Sequence, residues 1–303
     1  SETNISFLDT VASQIIIKGY DLIQLSQTKE YLDIVHLLLE DKLPLDSEKA
    51  FTAEILKREY EVPEEILKVF KLLPKDTHPM DGLRTGISSL AGFDTQIDDC
   101  SISINKNRAY RLLGKVPNIV ANSYRIINGK EPIEPLKELS YSANFFYMLT
   151  GRKPSSLEEK IFDLSLVLYC EHEMPNSTFT ARVIASTQSD LYGALTGAVA
   201  KKKGSLHGGA NEAVMYMLNE AKTVVGFEKM LQKKLLNKEK IMGFGHRVYM
   251  KKMDPRALMM KEALKQLSDV QGDDHLLQMC EAGERVMEKE KGLYPNLDYY
   301  AAP

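Results

Sequence analysis

His207 is one of six histidines in the sequence and lies in residues 206–212 (LHGGANE), directly before an apolar stretch. If that stretch is a helix, the imidazole lies at the positive end of its dipole, which disfavours the charged form. A neutral imidazole can donate a hydrogen bond to a carbonyl oxygen that gains negative charge, as in enolisation. This pattern favours a catalytic histidine, and a glycine-rich turn with an incidental histidine is the alternative.

His246 lies in a second glycine-rich segment, residues 243–249 (GFGHRVY). Glycines on both sides of Phe244 predict a loop whose backbone can approach a ligand closely and present donors to it. Residues 254–256 (DPR) follow, and Arg256 could hold a carboxylate with two hydrogen bonds. The segment therefore indicates an anion-binding loop with a histidine at its centre.

His172 lies between two acidic residues, Glu171 and Glu173. Flanking carboxylates favour the charged form of the imidazole, which could then bind an anionic substrate. A zinc motif is excluded because Glu173 is followed by Met174 and not by a second histidine at helical spacing. No metal is needed for this chemistry.

Asp298 is a candidate general base in residues 294–300 (YPNLDYY). Its apolar and aromatic neighbours could desolvate the carboxylate and raise its basicity. A surface carboxylate is the alternative. The other histidines carry weaker signals, since His36 lies in an apolar helical segment, His275 at a loop or helix start and His78 in a turn.

The elements that must position these groups are almost all helices. The one convincing strand signal is near the start, where residues 7–8 and 15–17 predict a short hairpin that ends at residues 18–20. Ser156 and Glu159 predict a capping box at the start of a later helix. Small residues between positions 181 and 200 indicate close helix packing, either in a tight core or at a subunit interface.

The composition is that of a globular protein, with 44% hydrophobic and 27% charged residues in 303. A net charge of -3 gives no reason to expect a nucleic-acid partner. No apolar run approaches the roughly 18–20 residues that cross a bilayer, and residues 1–4 show no signal peptide. The cysteines Cys100, Cys170 and Cys280 predict reduced, buried thiols, so we expect a cytoplasmic location and no membrane partner.

Four segments together resemble the citrate synthase family. They are residues 206–212, residues 243–249 with 254–256, residues 295–298 (PNLD), and residues 171–183 (EHEMPNSTFTARV). They occur in the family's order, and the resemblance covers nearly all of the chain. Residues 78–81 (HPMD) look closest to bacterial 2-methylcitrate synthases and dual-specificity synthases.

The resemblance implies a predominantly α, two-domain helical fold with the short N-terminal β hairpin, assembled as a homodimer. The large domain would be residues 1–210, and the small domain, which carries the acyl-CoA site, residues 211–301. The family continues through a C-terminal helical tail that is absent from this chain. That tail contributes two further arginines to carboxylate binding in the family.

The resemblance also implies a role for each candidate. Asp298 would remove a proton next to the thioester carbonyl, His207 would stabilise the enolate, and His246 would polarise the ketone of oxaloacetate. Oxaloacetate carboxylates would be held by His172 and Arg256. The backbone along coenzyme A would be that of Lys240, Ile241, Met242, Gly243 and Phe244. Coenzyme A is a substrate carrier here, and no metal or other cofactor is implied.

We therefore expect an acyltransferase that condenses oxaloacetate with propionyl-CoA, and with acetyl-CoA, to 2-methylcitrate or citrate. An ordinary citrate synthase that uses acetyl-CoA would have the same residues in the same roles. One methylene separates the two acyl groups, a difference worth only about 1–3 kcal/mol in a pocket. A different class is an inactive helical dimer that keeps the fold as a binding scaffold.

Overall fold

The computed structural model describes residues 2–9, 12–203, 208–245, 248–249 and 252–303. Three short strands are followed by helices along the rest of the described chain. The strands are β1 (Ser6–Asp9), β2 (Gln14–Ile17) and β3 (Tyr20–Asp21). The helices are α1 (Leu22–Thr28), α2 (Tyr31–Glu40), α3 (Asp46–Arg58), α4 (Glu64–Lys71), α5 (Pro79–Leu90), α6 (Ile102–Ile127), α7 (Tyr141–Thr150), α8 (Ser156–Tyr169), α9 (Asn176–Ala185), α10 (Leu191–Lys202), α11 (Ala210–Ala221), α12 (Val224–Leu236), α13 (Pro255–Gln271), α14 (His275–Lys291) and α15 (Leu297–Ala301). The prediction of a predominantly helical fold is confirmed.

The chain divides into two compact units. The first comprises Ser1–Ile5 and Lys29–Gly208, and the second comprises Ser6–Thr28 and Gly209–Pro303. The sequence predicted a large domain of residues 1–210, which includes the whole N-terminal segment, and a small domain of residues 211–301. The segment Ser6–Thr28 instead groups with the C-terminal unit.

The N-terminal hairpin forms as the sequence predicts, and a third strand extends it. β1 pairs antiparallel with β2, with Phe7 opposite Ile16. The break predicted at residues 18–20 is a two-residue turn in which Lys18 and Gly19 both have positive φ, after which β3 pairs with β2. Turns of this kind match the twist of neighbouring antiparallel strands. The turn at Lys18 and Gly19 therefore ends β2 and allows β3 to pair with it.

Helix α6 is the central element of the first unit, and two hydrophobic clusters form around it. One cluster joins α6 to α4, α5 and α10, and the other joins it to α2, α3 and α7. Glycines allow the closest approaches, since a Cβ on Gly86 of α5 would lie 2.5 Å from Cγ2 of Ile119 in α6. The 26-residue length of α6 lets it serve both clusters.

A buried ion pair fixes the loop that leads into α6. Arg108 is 1% exposed and donates from Nε to Oδ2 of Asp94 over 2.7 Å. Tyr192 of α10 donates its hydroxyl to the same oxygen over 3.0 Å, and the Gln96 N–H donates to Oδ1 over 2.9 Å. Burial favours the neutral acid, but the bonds from Arg108, Gln96 and Tyr192 outweigh it and lower the pKa of Asp94 to about 2. The carboxylate is therefore held ionised inside the unit.

The capping box of α8 forms one residue earlier than the sequence predicts. Ser155, and not Ser156, is the N-cap, and its Oγ accepts a bond from the Glu158 N–H over 3.3 Å. Glu158 Oε2 in turn accepts from the Ser155 N–H over 2.8 Å. Both serine–glutamate pairs have the required spacing, and Arg152 selects Glu158 by binding its carboxylate. Glu159 instead accepts a bond from the Ser140 hydroxyl.

The small-residue stretch packs tightly within the first unit. A Cβ on Gly197 of α10 would lie 2.2 Å from Cδ1 of Ile184 in α9, so only glycine fits there without movement.

The expectation of buried thiols is right for Cys280 but wrong for Cys100, which lies exposed in the loop before α6. None of the described helices combines the length and the hydropathy that a membrane span requires.

We predict that Asp94→Asn destabilises the fold by about 3–5 kcal/mol, because it leaves the Arg108 charge buried without an anion. Denaturant unfolding followed by circular dichroism measures this change. The matched control is Asp98→Asn, an exposed carboxylate in the same loop, for which we expect a change within about 0.5 kcal/mol.

The pH dependence provides a second check on the same pair. Because the pKa of Asp94 is lower in the fold than the model-peptide value of 3.8, its ionisation stabilises the protein above about pH 4. That contribution is lost as the pH falls towards about 2. The stability gap between the original protein and D94N should therefore be constant above pH 4 and narrow below it. A gap independent of pH would contradict the assignment.

Candidate active site

Asp298 is the second residue of α15, a helix of only five residues. The Asn296 side chain caps this helix by accepting a bond from the Asp298 N–H over 3.1 Å. Leu297, Tyr299 and Tyr300 are buried, whereas Asp298 is partly exposed. The helix therefore buries its apolar side chains and keeps the carboxylate of Asp298 on its accessible side.

The segment predicted to lie along coenzyme A is the direct neighbour of the segment that carries Asp298. Phe244 pairs with Pro295 in an antiparallel bridge. The Asn296 N–H donates to the Gly243 carbonyl, and the Gly245 N–H donates to the Tyr294 carbonyl, each over 2.9 Å. The fold thus brings two predicted parts of the site together, although the Asn296 and Gly245 residues that bond across them are 51 positions apart.

Glycines make this pairing possible. Gly243 has a φ of 87°, and a Cβ there would lie 2.8 Å from Cδ2 of Tyr299 and 2.8 Å from Cγ2 of Val214. The Phe244 and Tyr299 rings pack with their centroids 4.3 Å apart. The sequence suggested ligand approach as the reason for these glycines. At Gly243 the structure provides a packing reason, which is close contact with Tyr299.

Arg256 is buried at the first turn of α13 and is held by Asp254, which is 0% exposed. The Asp254 carboxylate accepts from Arg256 Nε over 3.1 Å, from Nη2 over 2.8 Å and from the Arg256 backbone N–H over 2.9 Å. Arg256 therefore holds a carboxylate with two side-chain hydrogen bonds, but that carboxylate belongs to the protein. Another anion would meet the opposite edge of the guanidinium plane.

His172 lies in the first unit, in a turn just before α9. The two residues after it, Glu173 and Met174, both have a φ of 53°, in the left-handed region that non-glycine residues rarely adopt. The buried carboxylate of Glu171 accepts a bond from the Met174 N–H over 2.7 Å and supports this turn. Strained backbone of this kind is concentrated at functional sites.

The other sequence-predicted histidines divide into two groups. His207 and His246 lie outside the described residues, so their predicted roles stay predictions. Two residues after His207, Gly209 is the N-cap of α11 and has a φ of 71°. His36 is buried and its Nδ1 lies 3.1 Å from the Thr52 hydroxyl, His78 caps α5, and His275 begins α14.

Sequence reasoning missed the polar groups that hold α15 in place. Tyr299 donates its hydroxyl to the Cys280 carbonyl over 2.9 Å, and Tyr300 donates its hydroxyl to Glu284. Burial, together with the Glu284 carboxylate, raises the pKa of Tyr300 far above its usual value, so this hydroxyl stays protonated. Nothing in the spacing of Glu284 distinguishes it from a solvated helix carboxylate. Its role depends on a contact between distant elements.

The second unit therefore contains the partly exposed Asp298 close to the glycine-containing backbone segment of residues 243–245. Tyr299 and Tyr300, which follow Asp298, are buried beneath it. Such a carboxylate can accept a proton from a carbon acid that lies along the segment. The same unit holds Arg256, whose guanidinium is already oriented by Asp254. The arrangement fits proton abstraction next to a carbonyl in an anionic substrate.

Comparisons with known proteins agree with this chemistry. The family model for "Citrate synthase, C-terminal domain" matches residues 1–303. The chain is 71% identical over its full length to a citrate synthase of Heyndrickxia coagulans, of which it covers 81%. It is also 71% identical over its full length to a citrate/2-methylcitrate synthase of Bacillus subtilis (strain 168), of which it covers 82%.

The fold has close structural relatives as well. One is the citrate synthase of Thermoplasma acidophilum, solved as a ternary complex with carboxymethyl coenzyme A and oxaloacetate. It has a TM-score of 0.92 and 29% identity, and the match covers 100% of this chain and 80% of that one. With a family model that spans every residue and relatives at 71% identity, this chain belongs to the citrate synthase family.

Proposed function

We propose that this protein condenses oxaloacetate with a short acyl-CoA, forming 2-methylcitrate from propionyl-CoA or citrate from acetyl-CoA and releasing coenzyme A. The observation that carries the proposal is the full-length, 71% identity to a protein named citrate/2-methylcitrate synthase. The pairing of residues 243–245 with residues 294–296, directly before Asp298, supports it, because proton abstraction next to a thioester needs a base at the acyl-CoA site.

The reaction assigns one task to each catalytic group. Asp298 takes a proton from the carbon next to the thioester carbonyl, and His207 donates a hydrogen bond to the enolate oxygen that forms. That carbon attacks the ketone of oxaloacetate, and His246 polarises the ketone and protonates the new alkoxide. Water then hydrolyses the thioester and releases coenzyme A. The acyl-CoA thioester is a substrate, and the proposal includes no metal or redox cofactor.

Substrate binding is assigned to two side chains and one backbone segment. His172 and Arg256 hold carboxylates of oxaloacetate, and the backbone of residues 240–244 lies along coenzyme A. The bidentate contact with Asp254 supports the role of Arg256, since a pre-oriented guanidinium loses less side-chain freedom on binding. The strained turn at Glu173 and Met174 supports the role of His172.

An ordinary citrate synthase is the second candidate, supported by the 71% identity to a protein named citrate synthase. Turnover of propionyl-CoA would place the enzyme in propionate metabolism, and turnover of acetyl-CoA alone in the tricarboxylic acid cycle. The third candidate is the inactive scaffold, which would release no coenzyme A from either thioester.

We also propose that the protein is a homodimer of the cytoplasm. Phe179 and Val183 support the dimer because they are 48% and 50% exposed and lie four residues apart on α9. The three free cysteines fit a reducing compartment.

Asp298→Asn should lower kcat by about 10²–10⁴-fold, because an amide cannot accept the proton. Coenzyme A release, followed with a thiol reagent, measures the effect. Asp269→Asn changes an exposed carboxylate of α13 in the same unit and should leave kcat unaltered. Full coenzyme A release by D298N would rule out the assigned base.

The acyl preference follows from steady-state kinetics with both thioesters. For a 2-methylcitrate synthase we expect kcat/KM for propionyl-CoA to equal or exceed that for acetyl-CoA. Because one methylene discriminates by about 10–200-fold at most, the disfavoured thioester should still react measurably. A preference for acetyl-CoA of more than about tenfold would favour the ordinary citrate synthase.

The proposed dimer can be tested by the mass of the protein in solution. Light scattering should give about twice the chain mass of 34.2 kDa for this polypeptide. The double substitution Phe179→Asp and Val183→Asp should shift the mass to that of one chain, because it places charge on the proposed contact. Substitution of the exposed Val270 on α13 by Asp is the control and should leave the dimer intact. A monomer before any substitution would refute the proposal.

A further inference from the structure

Helix α15 carries the proposed base but is too short to hold its own position. A helix of five residues is not stable in isolation, so tertiary contacts must set its orientation. The two tyrosines that follow Asp298 supply those contacts, and both of their hydroxyl groups bind α14. Tyr299 binds the Cys280 carbonyl, and Tyr300 binds the Glu284 carboxylate.

Glu284 has a second partner, which lies on a third helix. Lys261 of α13 donates from Nζ to Glu284 Oε2 over 2.8 Å, and the same Nζ lies 5.4 Å from the centroid of the Tyr300 ring. The Glu284 side chain is 16% exposed and that of Lys261 is 30% exposed. The pair is thus partly desolvated, and solvent screens it less than an ion pair on an open surface.

This three-residue cluster connects the helix of Asp298 to the helix of Arg256. Lys261 lies five residues after Arg256 on α13, about 7.5 Å further along the helix axis. Tyr300 lies two residues after Asp298 on α15. Any shift between α13 and α15 therefore strains the bonds to Glu284. The cluster of Tyr300, Glu284 and Lys261 is called the Tyr300 anchor below.

We infer that the Tyr300 anchor positions the Asp298 carboxylate for proton abstraction by fixing α15 against α13. The inference rests on the proposed function, because it assigns Asp298 as the base. Its members are positioning residues and do not touch the reacting atoms. A base must lie within about 3–3.5 Å of the carbon acid in a narrow range of angles, so a small displacement of α15 slows proton transfer.

The first unit contains a chemically matched cluster that serves as a control. Tyr110 donates its hydroxyl to Glu40 Oε1 over 2.9 Å, and Lys106 donates to Oε2 of the same carboxylate over 2.8 Å. Tyr110 is 6% exposed and Tyr300 is 1% exposed. Tyr110→Phe therefore removes the same type of bond from a similarly buried ring that belongs to the other unit.

The experiment compares Tyr300→Phe with Tyr110→Phe in the unsubstituted background. Y300F should lower kcat about tenfold with little change in KM for oxaloacetate, since proton transfer and not binding is impaired. The deuterium isotope effect on kcat, measured with the thioester deuterated next to its carbonyl, should rise because proton abstraction becomes slower. Y110F should leave kcat and the isotope effect unaltered. Equal kcat and isotope effects in the two variants would overturn the inference.

A second pair of variants tests the connection to α13 and serves if Y300F does not fold. Lys261→Met keeps the length of the side chain and removes the charge, and Lys106→Met is its control. K261M should lower kcat and raise the isotope effect, whereas K106M should change neither. A K261M variant with the kinetics of K106M would overturn the link to α13.

Amide hydrogen exchange separates failure of this inference from failure of the proposed function. Y300F should accelerate exchange in the peptides that contain α15 and Arg256, a result that does not depend on turnover. If the unsubstituted protein released no coenzyme A, the proposed function would fail. Unaltered exchange in Y300F would overturn the anchoring itself.

Discussion

The proposed chemistry depends on two buried hydroxyl groups, those of Tyr299 and Tyr300. A buried hydroxyl without a partner is costly, so each must bind an acceptor and thereby fixes the ring that carries it. Because both rings belong to a helix of five residues, fixing them fixes Asp298. The position of the Asp298 carboxylate thus depends on the burial of its two neighbours in the helix.

The burial of Tyr299 also positions the segment along which coenzyme A is proposed to lie. The Tyr299 ring packs on Gly243 and Gly283, where an added Cβ would meet ring or hydroxyl atoms at 2.8 Å and 2.3 Å. Residues 243–245 can therefore approach close enough to pair with residues 294–296. The segment of the proposed base and residues 243–245 therefore pack against each other, so a change in either displaces the other.

The sequence predicted the family, the helical class and the N-terminal hairpin, because these follow from motifs and from hydrophobic periodicity. It could not predict that Glu284 and Lys261 hold α15, since their partner Tyr300 lies on another helix. The predicted N-cap of α8 was wrong by one position, because two serine–glutamate pairs have the same spacing. Arg152 determines which pair forms the capping box. The strain at Glu173 and Met174 has no signature in residue type at all.

The discontinuous second unit has a consequence for biosynthesis. Its strands, within Ser6–Thr28, are synthesised before residues 29–208, whereas its helices after Gly209 are synthesised after them. Residues 29–208 can fold before the residues after Gly209 are made. During that time the early hairpin lacks the rest of its core. The apolar side chains of Leu8, Ile15 and Ile17 lack this part of their core until the residues after Gly209 have been made. The early hairpin is therefore a segment at which the nascent chain can aggregate before the helix that carries the proposed base has been made.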